Sequence, residues 1–557
     1  MRKYVFGIFL LFALGFILWA PMALQVSVLR EAGYYAALLT VALLIGTFRS
    51  IDWSCLRGMC HRSSGIWWAL GLLALAVWLL FVHVDFGYKF APAEYLNAAV
   101  AESLHAERDV EVLSGGRPFG DRYFRILSES SHEAYLYPFL VSLMHDLLGE
   151  CESNMFLVNG LLAVVSLAVG FRMGLLLGGR CCAALSLLLW CSLPVFAQSA
   201  TGAGLAMTGL VCLQLVILLS WLYLRAPSAV RESRLVLATV LLFYAQFEAL
   251  VLMLPVLAVL CVGWYQARRC FCSWGVAVAP LLCVLPCVGA RLARAGEWSV
   301  ESLTSNFPYI LYFFFNTSHD LTNSLVLAVL GGLSVLALCI LCRRAGGSLL
   351  AEPSVLLAMC FLFGAFGYLV LVAGSEGGRL DVPALSAMAL PLYAVLVLVV
   401  LVVAARFLRT QLQWTVLFGA VGVYILGFTL PVNAKGVYSE EHNAAREQIW
   451  LAQVAQEQLM PSSMIIDEFR ISWVLGHWPA VTPEYARGRM ADWKQNPPFH
   501  RYPEMYVVER LQVVSVAKGE VSFVSDVVLP GVSLEFVAER SFQPFRLTRV
   551  SRVVWAE

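Results

Sequence analysis

Apolar runs separated by short polar breaks fill the chain as far as Pro431 and then stop. A helix needs about 20 residues to cross a hydrocarbon core of about 30 Å. On that template the pattern predicts thirteen spans, near 4–24, 33–48, 65–82, 153–175, 181–197, 203–224, 233–246, 249–266, 274–291, 321–342, 353–373, 383–405 and 411–431. The first span begins MRKYVFGIFLLF, like a signal peptide. Its apolar run is longer than a secretory signal needs and a second follows closely, so it reads as an uncleaved span. The short pair at 233–246 and 249–266 is interrupted at Phe247-Glu248, which predicts either two tilted partners or a re-entrant pair.

Two stretches escape this pattern. The first runs from His83 to Glu133, too long for a mere connector between spans. Within it Pro92-Ala93-Glu94 opens a helix with proline in the first turn. Leu96, Ala99, Val100 and Leu104 then form an apolar stripe opposite Asn97, Glu102 and His105. Leu136, Phe139, Leu140, Leu143 and Leu147 repeat the pattern in a second helix too short to cross. The 83–148 region thus predicts two interfacial helices framing a polar segment. The second stretch is the tail, 432–557. Its QIWLAQVAQEQL and PEYARGRMADW read as helices and its SMIID, MYVVERL, VSFVSDVVL and SLEFVAE as strands. The chain is therefore expected to be a polytopic α-helical membrane protein, its membrane domain over 1–431, with a C-terminal extramembrane α/β domain over 432–557.

Composition agrees: 60% of residues are hydrophobic and 13% charged, with a mean hydropathy of +0.76, where a soluble protein carries about 25% charged residues. The net charge of +1 and the lack of a basic stripe give no footing to nucleic acid. All fifteen cysteines lie at or before Cys360, most inside apolar runs, so they act as small hydrophobes and leave the tail without a disulfide framework. Neither Cys55 with Cys60 nor Cys270 with Cys272 is completed to a zinc-ligand set.

Charge also orients the spans. Arg2, Lys3, Arg49, Arg57, Arg62, Arg180, Arg225, Arg231, Arg234, Arg268, Arg269, Arg343, Arg344, Arg406 and Arg409 fall in alternate short loops. The opposite loops hold little beyond Arg30, Arg294 and Arg379. The basic side is the cytoplasmic one, so loops 83–133, 292–320 and 374–382 and the tail are expected outside. Asp85, Glu94, His132, Glu133, Glu248, Glu376, Arg379 and Asp381 then share one external surface. The span interiors hold few ionisable groups besides Arg172, which is near enough to an end to snorkel. That argues against an ion-coupled transporter.

Three stretches resemble the GT-C superfamily of membrane glycosyltransferases, which includes protein mannosyltransferases and the aminoarabinose transferase of lipid A. They are VDFGYKFAPAEYLNAA in the first external loop, HEAYLYPFLVSLMHDLLG after it, and GRLDVPALSAMALPLYAVL leading into a late span. FYAQFEALVLM is similar to a short break in which many relatives carry Arg-x-Glu. The resemblance covers roughly residues 65–405. It implies a GT-C-like fold, a polyprenyl-phosphate sugar donor, a lipid, glycan or protein acceptor, and a bacterial plasma membrane with the active face and tail outside the cytoplasm. The chain departs from the pattern twice. Relatives begin the first amphipathic helix with Asp-Glu, where this chain has Pro92-Ala93-Glu94, and many carry an acid where this chain has SATGAGLA.

Transfer from such a donor needs a base for the acceptor hydroxyl, a cation for the phosphate and an apolar groove for the isoprenoid. Asp85, at the end of a span, is the expected base, and Glu94 is a second catalytic candidate. Each also has a plain reading, Asp85 as a charge ending a span and Glu94 as a first-turn residue favoured by the helix dipole. Arg379 is the expected phosphate ligand, with Lys89 a second cation. His132, Glu133, Tyr137 and Glu248 are candidates for substrate contact; alternatively they are a polar helix start, an interfacial anchor and a surface or paired acid. A divalent metal is compatible with these acids, but the sequence demands none. Two other functions stay open: a flippase, which would need a polar path through the spans, and a catalytically altered scaffold that binds lipid-linked sugar.

Overall fold

The computed structural model describes residues 1–48, 63–89, 93–119, 122–131, 134–293, 299–315, 324–345, 352–375, 382–435, 440–495, 502–517, 520–524, 527–543 and 546–555. The chain divides into two compact units. One comprises Met1–Gly87, Arg108–Val110 and His132–Val437; the other comprises Tyr88–Glu107, Glu111–Ser131 and Tyr438–Glu557.

The first unit is helical. It opens with α1 (Arg2–Trp19), α2 (Met22–Phe48) and α3 (Ser63–Phe81). After α4 (Ala93–Ala106), which belongs to the other unit, come α5 (Leu136–Leu148), α6 (Ser153–Cys191), α7 (Pro194–Thr201), α8 (Ala206–Arg225) and α9 (Ala229–Ala245). A 3-10 turn, Phe247–Leu252, leads into α10 (Met253–Ala267), and then follow α11 (Trp274–Leu282), α12 (Val284–Ala293) and α13 (Val300–Phe315). The series closes with α14 (Leu325–Ala345), α15 (Pro353–Ser375), α16 (Val382–Phe407), α17 (Gln411–Tyr424), a π turn and α18 (Leu430–Lys435).

Among the described residues, ten helices are long and apolar enough to cross a membrane. Thirteen spans were expected, and three local features account for the difference. Helix α6 runs 39 residues but breaks at Gly178 and Gly179, the latter at φ +74°, so it is two helices back to back. The described apolar part of α3 is Trp67–Phe81, and α9 has 17 residues. Helix α2 starts at Met22 rather than near residue 33. Its polar Arg30 is tolerated because it pairs with Asp109 at 3.1 Å. The turn between α1 and α2 is closed by one side chain. Gln25 Nε2 donates to the carbonyls of Phe16, Ile17 and Ala20 at 3.2, 3.1 and 2.9 Å, satisfying oxygens that lipid could not.

Helices α8 and α16 are the most buried spans and form the centre of the unit, with α6 and α9 packed on α8. Small residues set the closest approach. A Cβ on Gly174 would lie 2.5 Å from the Cys182 carbonyl oxygen and 2.7 Å from Ala183 Cα, both backbone atoms across the α6 break. Gly174→Ala is therefore expected to destabilise the protein by about 1–3 kcal/mol, whereas Gly46→Ala, with open space around it, should not. Thermal unfolding of the detergent-purified variants by intrinsic fluorescence checks this, and equal melting temperatures would sink it.

The stretch 292–320, expected as a loop, contains helix α13. It is pinned to the end of α15 by Ser299 N–H to Gly374 O (2.9 Å) and Asn306 Nδ2 to Ala373 O (3.1 Å). Helix α5 turns Tyr137, Val141, Ser142 and His145 inward, while Leu147 and Leu148 are exposed, as an interfacial helix would be.

The second unit holds a mixed sheet. Its strands are β3 (Met464–Ile466), β4 (Ala480–Val481), β5 (Met505–Ala517), β6 (Glu520–Val524), β7 (Val532–Gln543) and β8 (Arg546–Trp555). They run in the order β4-β3-β5-β8-β7, with β6 also on β5; the β4-β3-β5 pairs are parallel and the others antiparallel. Side chains alternate as the pleat requires. Ile465, Tyr506 and Val508 pack on one face with Leu451, Val454 and Trp473. Met464, Ile466, Met505 and Val507 pack on the other with Ala486 and Met490. The helices α19 (Glu440–Gln458), α20 (Arg470–Leu475) and α21 (Pro483–Gln495) thus cover both faces.

Two findings in this unit correct the sequence reading. The polar segment after α4 is a β-hairpin, β1 (Glu111–Phe119) with β2 (Arg122–Ser130), antiparallel and irregular around Gly115. Helix α4 does not lie with a solvated polar face. Asn97 and Glu102 are as buried as Val100 and Leu104, because α4 packs against β1 and α20. It is an internal helix of this unit.

Candidate functional site

Three elements of the first unit meet where α3 ends. Phe86 stacks on Phe81 at 5.7 Å, turning the chain back over the helix end. Next to it the Gly87 N–H donates to the Thr201 carbonyl at 3.1 Å, which ties the segment that carries Asp85 to the end of α7. Asn159, in the second turn of α6, donates through Nδ2 to the carbonyls of Gly202 and Gly204 at 2.9 and 3.0 Å. Gly160 lies under this arrangement, its Cβ position 3.7 Å from the Phe86 ring and 3.9 Å from the Ala200 carbonyl oxygen. Asp85 is exposed between buried Val84 and these tethers.

The surroundings are polar but neutral. Gln198, Ser199 and Thr208 are fully buried, yet Gln198 Oε1, Ser199 Oγ and Thr208 Oγ1 have no hydrogen-bond partner among the described residues; the same holds for Asn159 Oδ1. Leaving such groups unsatisfied costs about 1–3 kcal/mol each, so their collection around one loop is a feature of the first unit that calls for an explanation. The donor atoms gathered here are oxygens, the kind a hard divalent cation uses rather than zinc.

The other expected residues are dispersed. Glu94 is fully buried in the second unit, where its Oε2 accepts from the Lys89 backbone N–H; the Lys89 side chain is buried as well. The rings of Tyr88 and Tyr95 contact each other across the same turn, 4.2 Å between centroids. Tyr137 is fully buried in the first unit and its hydroxyl donates to the Met155 carbonyl at 3.1 Å. Glu248 sits half-buried in the 3-10 turn Phe247–Leu252, which packs on α15. His132, Glu133 and Arg379 lie outside the described residues, as do Glu376 and Asp381.

Sequence reading did not single out Asn159, Gln198, Ser199 or Thr208. The available signal was SATGAGLA itself, a run of small and hydroxyl residues between two apolar helices, which drew notice for the acid it lacks rather than for the backbone carbonyls it offers.

The segment around Arg108 is also fixed to the first unit. Arg108 forms a two-pronged pair with Asp146 at 2.8 and 3.1 Å and lies 4.9 Å from the centre of the Tyr34 ring. The Asp146 hydrogen bond holds its pKa above the usual arginine value. Val110 N–H donates to the Arg30 carbonyl at 3.0 Å.

No protein-family model matches this sequence, and no curated protein matches it. Solved structures do. The crystal structure of ArnT from Cupriavidus metallidurans bound to undecaprenyl phosphate aligns at a TM-score of 0.52 and 15% identity, over 87% of this chain and 98% of that one. The apo form of the same protein aligns at a TM-score of 0.49 and 15% identity, over the same shares. The chain therefore has an ArnT-like fold, as an integral multi-pass membrane protein that also carries a C-terminal sheet domain.

Proposed function

We propose that the protein is a membrane glycosyltransferase that moves a sugar from a polyprenyl-phosphate-linked donor to a lipid, glycan or protein acceptor at the external membrane face. The observation that carries this reading is an exposed carboxylate, Asp85, at the end of a span and beside a buried, unsatisfied polar loop. It occurs in a fold shared with a protein whose crystal structure contains undecaprenyl phosphate. In the reaction Asp85 takes the acceptor hydroxyl proton as the oxygen attacks the anomeric carbon. The bond from that carbon to the phosphate oxygen breaks, and the phosphate leaves with the pair. Arg379 and Lys89 are the proposed partners of the leaving phosphate, Arg for its two-pronged geometry. Glu94, His132, Glu133, Tyr137 and Glu248 remain the proposed catalytic alternate and substrate contacts.

The test is to incubate the purified protein in bilayers with a radiolabelled polyprenyl-phosphate sugar and an extract of bacterial envelope acceptors. Label is expected to move into an acceptor fraction while unlabelled polyprenyl phosphate accumulates. The neutral SATGAGLA loop and the single Glu94 favour a second reading, a scaffold that holds lipid-linked sugar without turning it over. Donor binding without transfer to any acceptor fraction would establish that reading instead.

A further inference from the structure

Four helix ends of the first unit converge on a cleft of about 350 Å³ at the end of the spans that bears the basic short loops. Leu176 and Leu177 come from the α6 segment just before its glycine break, Trp221 and Arg225 from the last two turns of α8, Pro353 and Ser354 from the start of α15, and Val402, Ala405 and Arg406 from the last two turns of α16. Its size falls at the low end of the range for ligand sites, enough for a headgroup rather than a whole lipid.

The polar equipment of the cleft is cationic. The guanidinium of Arg225 lies 5.1 Å from the Trp221 ring centre, and Arg225 has no carboxylate partner among the described residues. Its neighbour Arg231 is otherwise engaged, donating to the carbonyls of Leu222 and Ala226 at 2.9 Å each, so it closes the end of α8 and leaves Arg225 to face outward. Arg406 pairs with Glu352 and reaches Ser354 Oγ at 3.5 Å, which brings the first turn of the 23-residue α15 into the cleft wall. Trp221 is buried and its indole N–H has no acceptor among the described residues. Two arginines against one carboxylate, a helix start and an apolar floor form a receptacle for a phosphate attached to hydrocarbon. Basic pockets between membrane helices on the cytoplasmic side take such headgroups.

We propose that this cleft is a binding site for the phosphodiester headgroup of an anionic membrane phospholipid, held by Arg225 and Arg406, with Leu176, Leu177, Val402 and Ala405 receiving the first methylenes of its chains. The site does not depend on the glycosyltransferase reading.

Native mass spectrometry of the full-length protein, titrated with phosphatidylglycerol and with phosphatidylcholine, tests it. One phosphatidylglycerol is expected to be retained in clear preference to phosphatidylcholine. Arg225→Gln should weaken that retention about fivefold. Arg343→Gln, a charge removed from the same membrane end but outside the cleft, should leave it unchanged. Ala405→Trp, which fills the cleft without touching its charges, should abolish it and gives the answer if Arg225→Gln does not fold. Equal retention of the two lipids, or unchanged retention in both cleft variants, overturns the proposal. Displacement of the lipid by excess inorganic phosphate overturns it in favour of a soluble phosphate ligand.

Discussion

Asp85→Asn is expected to lower the rate of sugar transfer at least a hundredfold while leaving donor affinity within about twofold, because a positioned general base contributes about 10²–10⁴ in rate and asparagine keeps the shape and hydrogen-bonding reach of the side chain. The nearby fold should survive the change. Asp85 is exposed, and two of the contacts that hold its segment, the Phe81–Phe86 stack and the Gly87–Thr201 backbone hydrogen bond, do not involve its carboxylate. Glu94→Gln provides the contrast. The amide oxygen still accepts from the Lys89 N–H, so this variant should keep most of its turnover if Asp85 is the base. Single-turnover kinetics with labelled donor, alongside equilibrium donor binding, separates the two. Full turnover in Asp85→Asn would remove this residue from the mechanism, and a hundredfold loss in Glu94→Gln with Asp85→Asn unaffected would move the role to Glu94.

The spans were legible because lipid leaves the sequence few options: a backbone in hydrocarbon must satisfy itself, and long apolar helices are the way this chain does so. In the tail, the helices Glu440–Gln458 and Pro483–Gln495 and the strands around Met464, Met505 and Val532 were legible from the sequence pattern, whereas the short helix Arg470–Leu475 and the strand Arg546–Trp555 were not. The hairpin Glu111–Ser130 was not. Gly115 and Gly116 interrupt its alternation, and its partners are remote: β1 packs against α20, more than 300 residues later in the chain. The same distance hid the fate of α4. Its apolar stripe predicted a surface helix, but α20 and β1 cover its polar side too, so Glu94 and Asn97 are internal. At the candidate site the reading followed ionisable residues and reached Asp85. It passed over Asn159 and the Thr201–Gly204 carbonyls, whose contribution is a backbone geometry that no residue type announces.

The second large effect concerns a buried charge cluster under the sheet. Arg510 on β5 is 9% exposed and meets two carboxylates, Asp467 at 2.5 Å and Glu447 of α19 at 2.7 Å. Burial works against its charge, but those carboxylates outweigh it and hold the guanidinium above the usual arginine pKa. Asp467, with no exposed surface, also accepts from Trp473 Nε1 at 2.7 Å and from the Phe469 N–H at 3.0 Å, and Arg510 lies over the Phe469 ring. Arg510→Met would strand two carboxylates in a dry interior, so a loss of about 3–5 kcal/mol is expected. Hydrogen exchange of the full-length protein should show protection falling at least a hundredfold over Met464–Ile466 and Met505–Leu511, with α8 and α16 unchanged. A cluster of this kind need not be net stabilising. Replacing all three charges at once, as Arg510→Met with Glu447→Met and Asp467→Asn, leaves an acceptor for Trp473 and Phe469 and should restore most of the protection. If the single variant exchanges like the wild type, the cluster is not shielded from water. If the triple variant is as weak as the single one, the ion pairs themselves are what hold β3 and β5 against α19.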